Sequence, residues 1–294
     1  MKRILSLSAI ILAVAILTPG TDAQGQGMIT GEVELLLLAY SREDGMRVGT
    51  NQNGSEDLVG ASPWNASHRT TIGFRRADGL GIRARYFGYE PEIPVGTVVP
   101  QKIAVDVTNI DLEIFDTINL DEDWTIELSA GIRSTEFAEL LEDQGELRTN
   151  SFNGTGGIFA IEARRDVFHF ASFYTRARGA LLYGTKRRNN FGGGIINRGS
   201  GMETYLKTDK AIMELAIGFE TNYECRNGTI FFARIGYEFQ KWFGFSSTFA
   251  NRDQQNFDLT GPMPINNASI LEEFWDGHSD VGMNGLVISI GFEH

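Results

Sequence analysis

The chain has 294 residues and a formal charge of −12, from 26 lysines and arginines against 38 aspartates and glutamates, with carboxylates spread along its length. A strongly acidic protein repels nucleic acid, which disfavours that partner class. The single cysteine, Cys225, excludes an internal disulfide framework, so an exported form must draw its stability from a large core or a membrane.

Residues 1–23 read as a cleaved secretory signal. Lys2 and Arg3 supply the positive start, Ile4 through Leu17 is almost wholly apolar, and Thr21-Asp22-Ala23 is a small-residue cleavage site after Pro19-Gly20. The apolar run is short for a span, which needs roughly 20 residues. Residues 24–294 are expected to form one domain, exported to the bacterial outer membrane. Abundant glycine (34) and phenylalanine (20) with little proline (7) suits long, closely packed, curved strands.

Period-two alternation predicts ten strands: 29–42, 68–76, 80–89, 101–115, 124–137, 156–164, 168–183, 212–223, 229–243 and 282–293. In the fifth, Trp124, Ile126, Leu128, Ala130 and Ile132 oppose Thr125, Glu127, Ser129, Gly131 and Arg133. In the eighth, Met213, Leu215, Ile217 and Phe219 oppose Glu214, Ala216, Gly218 and Glu220. The first strand is less regular, with apolar residues on both faces after Glu34.

The connections alternate strictly between short and long. Short turns are expected at Ala77-Asp78-Gly79, Leu120-Asp121-Glu122-Asp123, Arg165-Asp166-Val167 and Glu224-Cys225-Arg226-Asn227-Gly228. Long ones are expected at Glu43–Ser67, Glu90–Pro100, Ala138–Thr155, Gly184–Ala211 and Gly244–Val281. Tight periplasmic turns and long external loops are the layout of an all-β, antiparallel transmembrane barrel, here of about ten strands within a range of eight to twelve. Soluble sandwiches and lipocalin-like barrels have no reason for that alternation.

The apolar parity is then expected to meet lipid and the polar parity the lumen. The inferred lumen carries Arg83, Arg85, Arg133, Arg164, Arg176, Arg178 and Arg234 against Asp111, Glu113, Glu127, Glu162, Glu214, Glu220 and Glu238. Such a balance suits either a charged channel wall that selects solutes or an ion-pair network filling a narrow barrel.

Several segments resemble the Legionella-type major outer membrane protein family of pore-forming β-barrels, found also in planctomycetes. They are 80–87 (LGIRARYF), 111–113 (DLE), 128–133 (LSAGIR), 156–165 (GGIFAIEARR), 177–184 (ARGALLYG), 214–220 (ELAIGFE) and 232–238 (FARIGYE), with Trp242 close behind. Their order fits over most of residues 24–294. The resemblance implies a porin-like barrel without naming a solute. It departs from the usual barrel in one respect: the last aromatic, Phe292, stands third from the end, where the assembly machinery usually reads a final aromatic.

No HExxH, GxSxG or P-loop motif is present. A histidine–aspartate site at the rim, His278 beside Asp276 and Asp280, is the enzyme candidate, and solvated loop polars are the plainer reading. The acids Glu139, Glu142 and Asp143 are read as solvated loop surface rather than a calcium site. No cofactor or metal is expected. The function expected is passive diffusion of ions and small hydrophilic solutes, in a non-enzymatic protein whose partners are those solutes, outer-membrane lipid and the outer-membrane assembly machinery. The alternative is a non-conducting barrel that acts structurally or adhesively through its long external loops.

Overall fold

The computed structural model describes residues 27–50, 56–95, 101–121, 123–143, 146–168, 170–191, 202–247 and 278–294. The signal expected at residues 1–23 lies outside them.

Among the described residues, twelve strands form one antiparallel sheet: β1 (Met28–Thr50), β2 (Glu56–Ala61), β3 (Asn65–Arg75), β4 (Gly81–Tyr89), β5 (Glu92–Val95), β6 (Gln101–Asn119), β7 (Trp124–Asp143), β8 (Glu146–Phe168), β9 (Ala171–Phe191), β10 (Met202–Glu224), β11 (Ile230–Ser247) and β12 (His278–Glu293). Ten of them close into a barrel in the order β1-β3-β4-β6-β7-β8-β9-β10-β11-β12, and β12 pairs back onto β1 from Thr30↔Glu293 to Arg42↔Val281. Reciprocal hydrogen bonds between Ile29 and His294, 2.7 and 2.9 Å long, finish that seam. The ten expected strands are these ten. The short β2 and β5 were not foreseen; they pair with the outer parts of β1 and β6.

Several strands are longer than alternation suggested, most of them at the outer end. β7 and β8 stay in register up to Asp143↔Glu146, so the expected loop at 138–155 is largely a tall hairpin. β9 and β10 pair as far as Asn190↔Met202. At the periplasmic end, residues 165–167 prove to be strand; the ladder runs to Phe168↔Ala171. The turns at 77–79 and 224–228 fall where expected, and residues 120, 121 and 123 lie between strands as expected.

Parity decides what each face meets. Leu181 is 74% exposed, Ile290 66% and Ile132 58%, whereas Arg178, Arg133 and Asp111, on the other parity, are 3% exposed or less. An outward apolar face and an inward polar one place the molecule's greasy side against lipid. Aromatic residues rim this band. Trp124, Tyr223, Phe231 and Phe292 stand exposed towards the periplasmic end, and Tyr183, Tyr237 and Phe243 towards the outer end. Arg165 lies over the Trp124 ring at 5.4 Å, the amphipathic pairing that suits a membrane–water boundary.

Candidate functional site

The barrel interior is the candidate site, and it is built in layers along the inward parity. The deep charged layer begins with Arg69 on β3. It donates to Glu34 of β1 at 2.6 Å and to Glu238 of β11 at 2.5 and 2.9 Å. Arg176 of β9 reaches the same two carboxylates, 3.4 Å from Glu34 and 3.2 Å from Glu238. Three strands separate β9 from β1 in the ring, so this contact crosses the lumen. Alongside, Arg133 of β7 holds Asp111 at 2.7 Å and Glu214 of β10 at 2.5 Å. Arg178 of β9 donates to Asp111 and Glu113 at 2.7 and 2.5 Å.

A second charged set lies nearer the periplasm. Arg83 pairs with Glu113 at 2.9 Å and with Glu127 at 2.5 Å. Arg164 pairs with Glu162 and Glu220, and Arg234 joins Glu220, Glu162 and Glu32. Thus thirteen of the fourteen charged residues assigned to the lumen from sequence meet in ion pairs. The exception is Arg85, which is buried like its neighbours yet leaves Nε and Nη1 without a hydrogen-bond partner.

Above the charges the interior turns apolar. Leu36 and Leu38 of β1, Phe87, Val107, Phe137, Phe152, Ile158, Leu182, Trp242, Phe245, Met283 and Val287 form one buried cluster. This explains the irregular first strand: its even residues face charge at Glu34 and a hydrophobic layer from Leu36 onward, while Val33 and Leu35 face outward. Phe245 reaches the cluster because β11 breaks register between Trp242 and Ser246, with Gly244 at φ 68°. That left-handed conformation is one a side chain disfavours. The Phe245 ring then sits 4.9 Å from Trp242, 5.2 Å from Phe152 and 5.4 Å from Phe137, edge to face in each case. A polar thread joins the layers: Trp242 Nε1 donates to Gln240, and Gln240 donates to Glu238.

A polar cluster lies above the apolar one, towards the outer end. Glu139 of β7 accepts hydrogen bonds from Tyr40 Oη (3.0 Å), Arg42 Nη1 (3.3 Å) and Ser246 Oγ (2.6 Å). Glu139 is therefore no solvated loop acid. Its strand continues past the expected end, and inward parity buries it. Three strands separate β7 from β1, so this cluster also bridges the lumen. Lys186 donates to the carbonyls of Gly244 and Ser246, and Lys210 to that of Gly244, which pins the β11 bulge. Lys186 lies above the apolar band, beyond Tyr183. Burial, and then the nearby Arg188 and Lys210, push its ammonium down to about 6. The side chains of Glu142 and Asp143 lie outside the described residues.

Of the enzyme candidate, the His278 side chain lies outside the described residues. The Asp280 carboxylate accepts from the backbone N–H of Gly244 at 2.8 Å and pairs with Lys241 at 3.1 Å. Asp276 lies outside the described residues. His68 faces outward against Tyr86, with ring centroids 5.5 Å apart. Cys225 is a free thiol in a periplasmic turn.

A closed antiparallel barrel with an aromatic-rimmed apolar exterior and a charged interior is an outer-membrane β-barrel. The model of the family described as Legionella pneumophila major outer membrane protein precursor matches residues 52–293, and the chain belongs to that family. It is accordingly a protein of the bacterial outer membrane. No curated protein sequence matches the chain. Among solved structures, the Escherichia coli outer membrane protease OmpT is similar with a TM-score of 0.52 at 7% identity, covering 95% of this chain and 99% of that one. The Pseudomonas putida toluene transporter TodX has a TM-score of 0.34 at 7% identity, covering 96% and 93%. A Pseudomonas aeruginosa FadL homologue has 0.32 at 5% identity, covering 92% and 90%. At such identities the OmpT likeness concerns the fold alone.

Proposed function

We propose that this protein is an outer-membrane barrel whose lumen is closed, and that it acts at its outer end through the strands and connections rising above the bilayer. The observation that carries this reading is the pair of contacts crossing the lumen at two levels: Arg176 to Glu34 in the charged layer, and Tyr40 and Arg42 to Glu139 in the outer polar cluster. Between them stands the aromatic cluster around Phe245. Diffusion of hydrated ions would require all three layers to part, and barrels of about eight strands are typically filled by side chains in this way. The geometry therefore supports the non-conducting alternative over the passive diffusion channel. It also favours a non-catalytic role, because the charged groups of the interior are engaged with one another. Outer-membrane lipid is the partner of the apolar band, and the assembly machinery the partner required to insert it.

Conductance of the folded, heat-modifiable protein in a planar bilayer tests this. Silence from protein shown to be folded is the expected result. Discrete, reproducible current steps would overturn it. If those steps shifted towards cations in Arg176→Glu with Arg178→Glu, the lumen arginines would be assigned to a diffusion path instead.

A further inference from the structure

Arg85 is the one of the fourteen lumen charges read from sequence that makes no ion pair, and its surroundings indicate what it holds. Its side chain points inward from β4 and is 4% exposed. The charges acting on it most strongly are those of Arg178 and Arg176, with Glu113 opposing and Arg83 adding to the positive side. A buried guanidinium among like charges is costly unless something negative completes it. Glu113 offsets part of that charge but makes no hydrogen bond to Arg85: its oxygens accept from Arg178, Arg83 and Ser129.

A second observation comes from the neighbouring strand. Thr71 of β3 is the direct cross-strand partner of Arg85, and its buried hydroxyl also lacks a hydrogen-bond partner. Both residues line the same cavity of about 60 Å³, towards the periplasmic end of the lumen. Water needs roughly 10–15 Å³ measured in this way, so the space holds a small ion with a water or two. Each of the four carboxylates on the cavity wall is held in an ion pair. Glu127 is held by Arg83, Glu162 by Arg164 and Arg234, Glu32 by Arg234, and Glu293 by Arg75. Arg85 is the cation at this wall that has no hydrogen-bonded carboxylate.

We propose that this cavity is a binding site for a small monovalent inorganic anion of halide size, held by the Arg85 guanidinium and the Thr71 hydroxyl. The anion supplies the hydrogen-bond partner that Arg85 and Thr71 lack, and the site is independent of whether the barrel conducts. Two donors converge on the space and no free carboxylate competes for them. The space of about 60 Å³ limits the anion to a small one, and guanidinium and hydroxyl both donate to it.

Two experiments test the site on the full mature protein in detergent. In crystals grown with bromide replacing chloride, an anomalous peak within hydrogen-bonding distance of both Arg85 and Thr71 is the expected result. A cavity holding only water, or bromide bound only elsewhere, overturns the proposal. In solution, saturable broadening of the chloride NMR signal by the wild-type protein is expected. Halide affinity should fall about tenfold or more in Arg85→Gln, the size expected for losing a charge-assisted hydrogen bond, and by less in Thr71→Val. Unchanged broadening in folded Arg85→Gln overturns the proposal. Should that variant fail to fold, Thr71→Val and the bromide peak decide in its place.

Discussion

Arg69 is 2% exposed and is shared by two carboxylates, which makes it a sensitive position in the lumen. Buried ion pairs contribute little net stability relative to a well-packed apolar substitute, but removing one partner strands the other. Arg69→Met is expected to destabilise the barrel by about 3–5 kcal/mol, at the lower end because Arg176 still reaches Glu34 and Glu238. The urea midpoint in lipid vesicles measures it. Lys186 makes a different prediction. Folded, its ammonium loses its proton at about 6, against 10.5 when free. Between those values the unfolded chain binds a proton that the folded chain does not, so stability rises with pH across that window and is level below it. Lys186→Met should reduce this slope, read as the urea midpoint at several pH values. Alternation separates Arg176 and Arg178 from Ala177 and Gly179, so inward residues could be read from parity. Their partners could not, because Arg176 and Glu34 lie 142 positions apart and meet only across a closed ring. Glu139 escaped for another reason: its apolar neighbours lie inside the barrel and its polar ones outside, the inverse of the lipid-level pattern.

At the level of the strand, the β11 bulge sets how the lumen is filled. Gly244→Ala should cost about 1–2 kcal/mol, the penalty for a side chain in the left-handed region, whereas Gly244→Asn should cost less because asparagine tolerates that conformation. Comparing the two unfolding midpoints separates backbone strain from lost packing; equal and negligible effects would show that the bulge adopts another conformation in solution. A second close approach governs β9 to β11. Gly218 and Gly236 face each other inward across β10 and β11, and a Cβ built on Gly236 would stand 2.5 Å from the Tyr174 hydroxyl. The absence of side chains there leaves room for the Tyr174 ring, over which Arg234 lies at 5.2 Å. The ten barrel strands were legible because lipid on one side and charge on the other enforce a clean period of two. Their outer halves were not, since water outside and apolar packing inside erase that contrast, as at Glu136-Phe137-Ala138-Glu139. The four-residue β5 offers too short a run to show any period.

For the molecule as a whole, the apolar band fixes its height in the bilayer. Ile132 lies within the band, and Glu136, four residues further along the same outward face of β7, lies above it. An arginine facing lipid at the midplane costs about 2–4 kcal/mol, falling to about 0–1 near the interface. Ile132→Arg is therefore expected to reduce the fraction folded into vesicles and Glu136→Arg to leave it nearly unchanged. Equal losses at both sites would mean that the band reaches higher than its aromatic rim suggests.

The contacts that cross the lumen also bear on the order of events during assembly. Glu32 and Glu34 belong to the first strand of the ring, yet Glu32 meets Arg234 of β11, and Glu34 is shared between Arg69 of β3 and Arg176 of β9. Until the last strand docks against the first, some of these carboxylates face open space and their distant arginines face each other. An unrolled ribbon is thus electrostatically incomplete: pairs between neighbouring strands, such as Arg83–Glu113 and Arg133–Asp111, can form in it, but those that cross the lumen arrive together at circularisation. For those contacts closure is a switch rather than a gradual zippering. A chain shortened by a single hairpin would not form a narrower version of the same barrel, because its charges would no longer find one another.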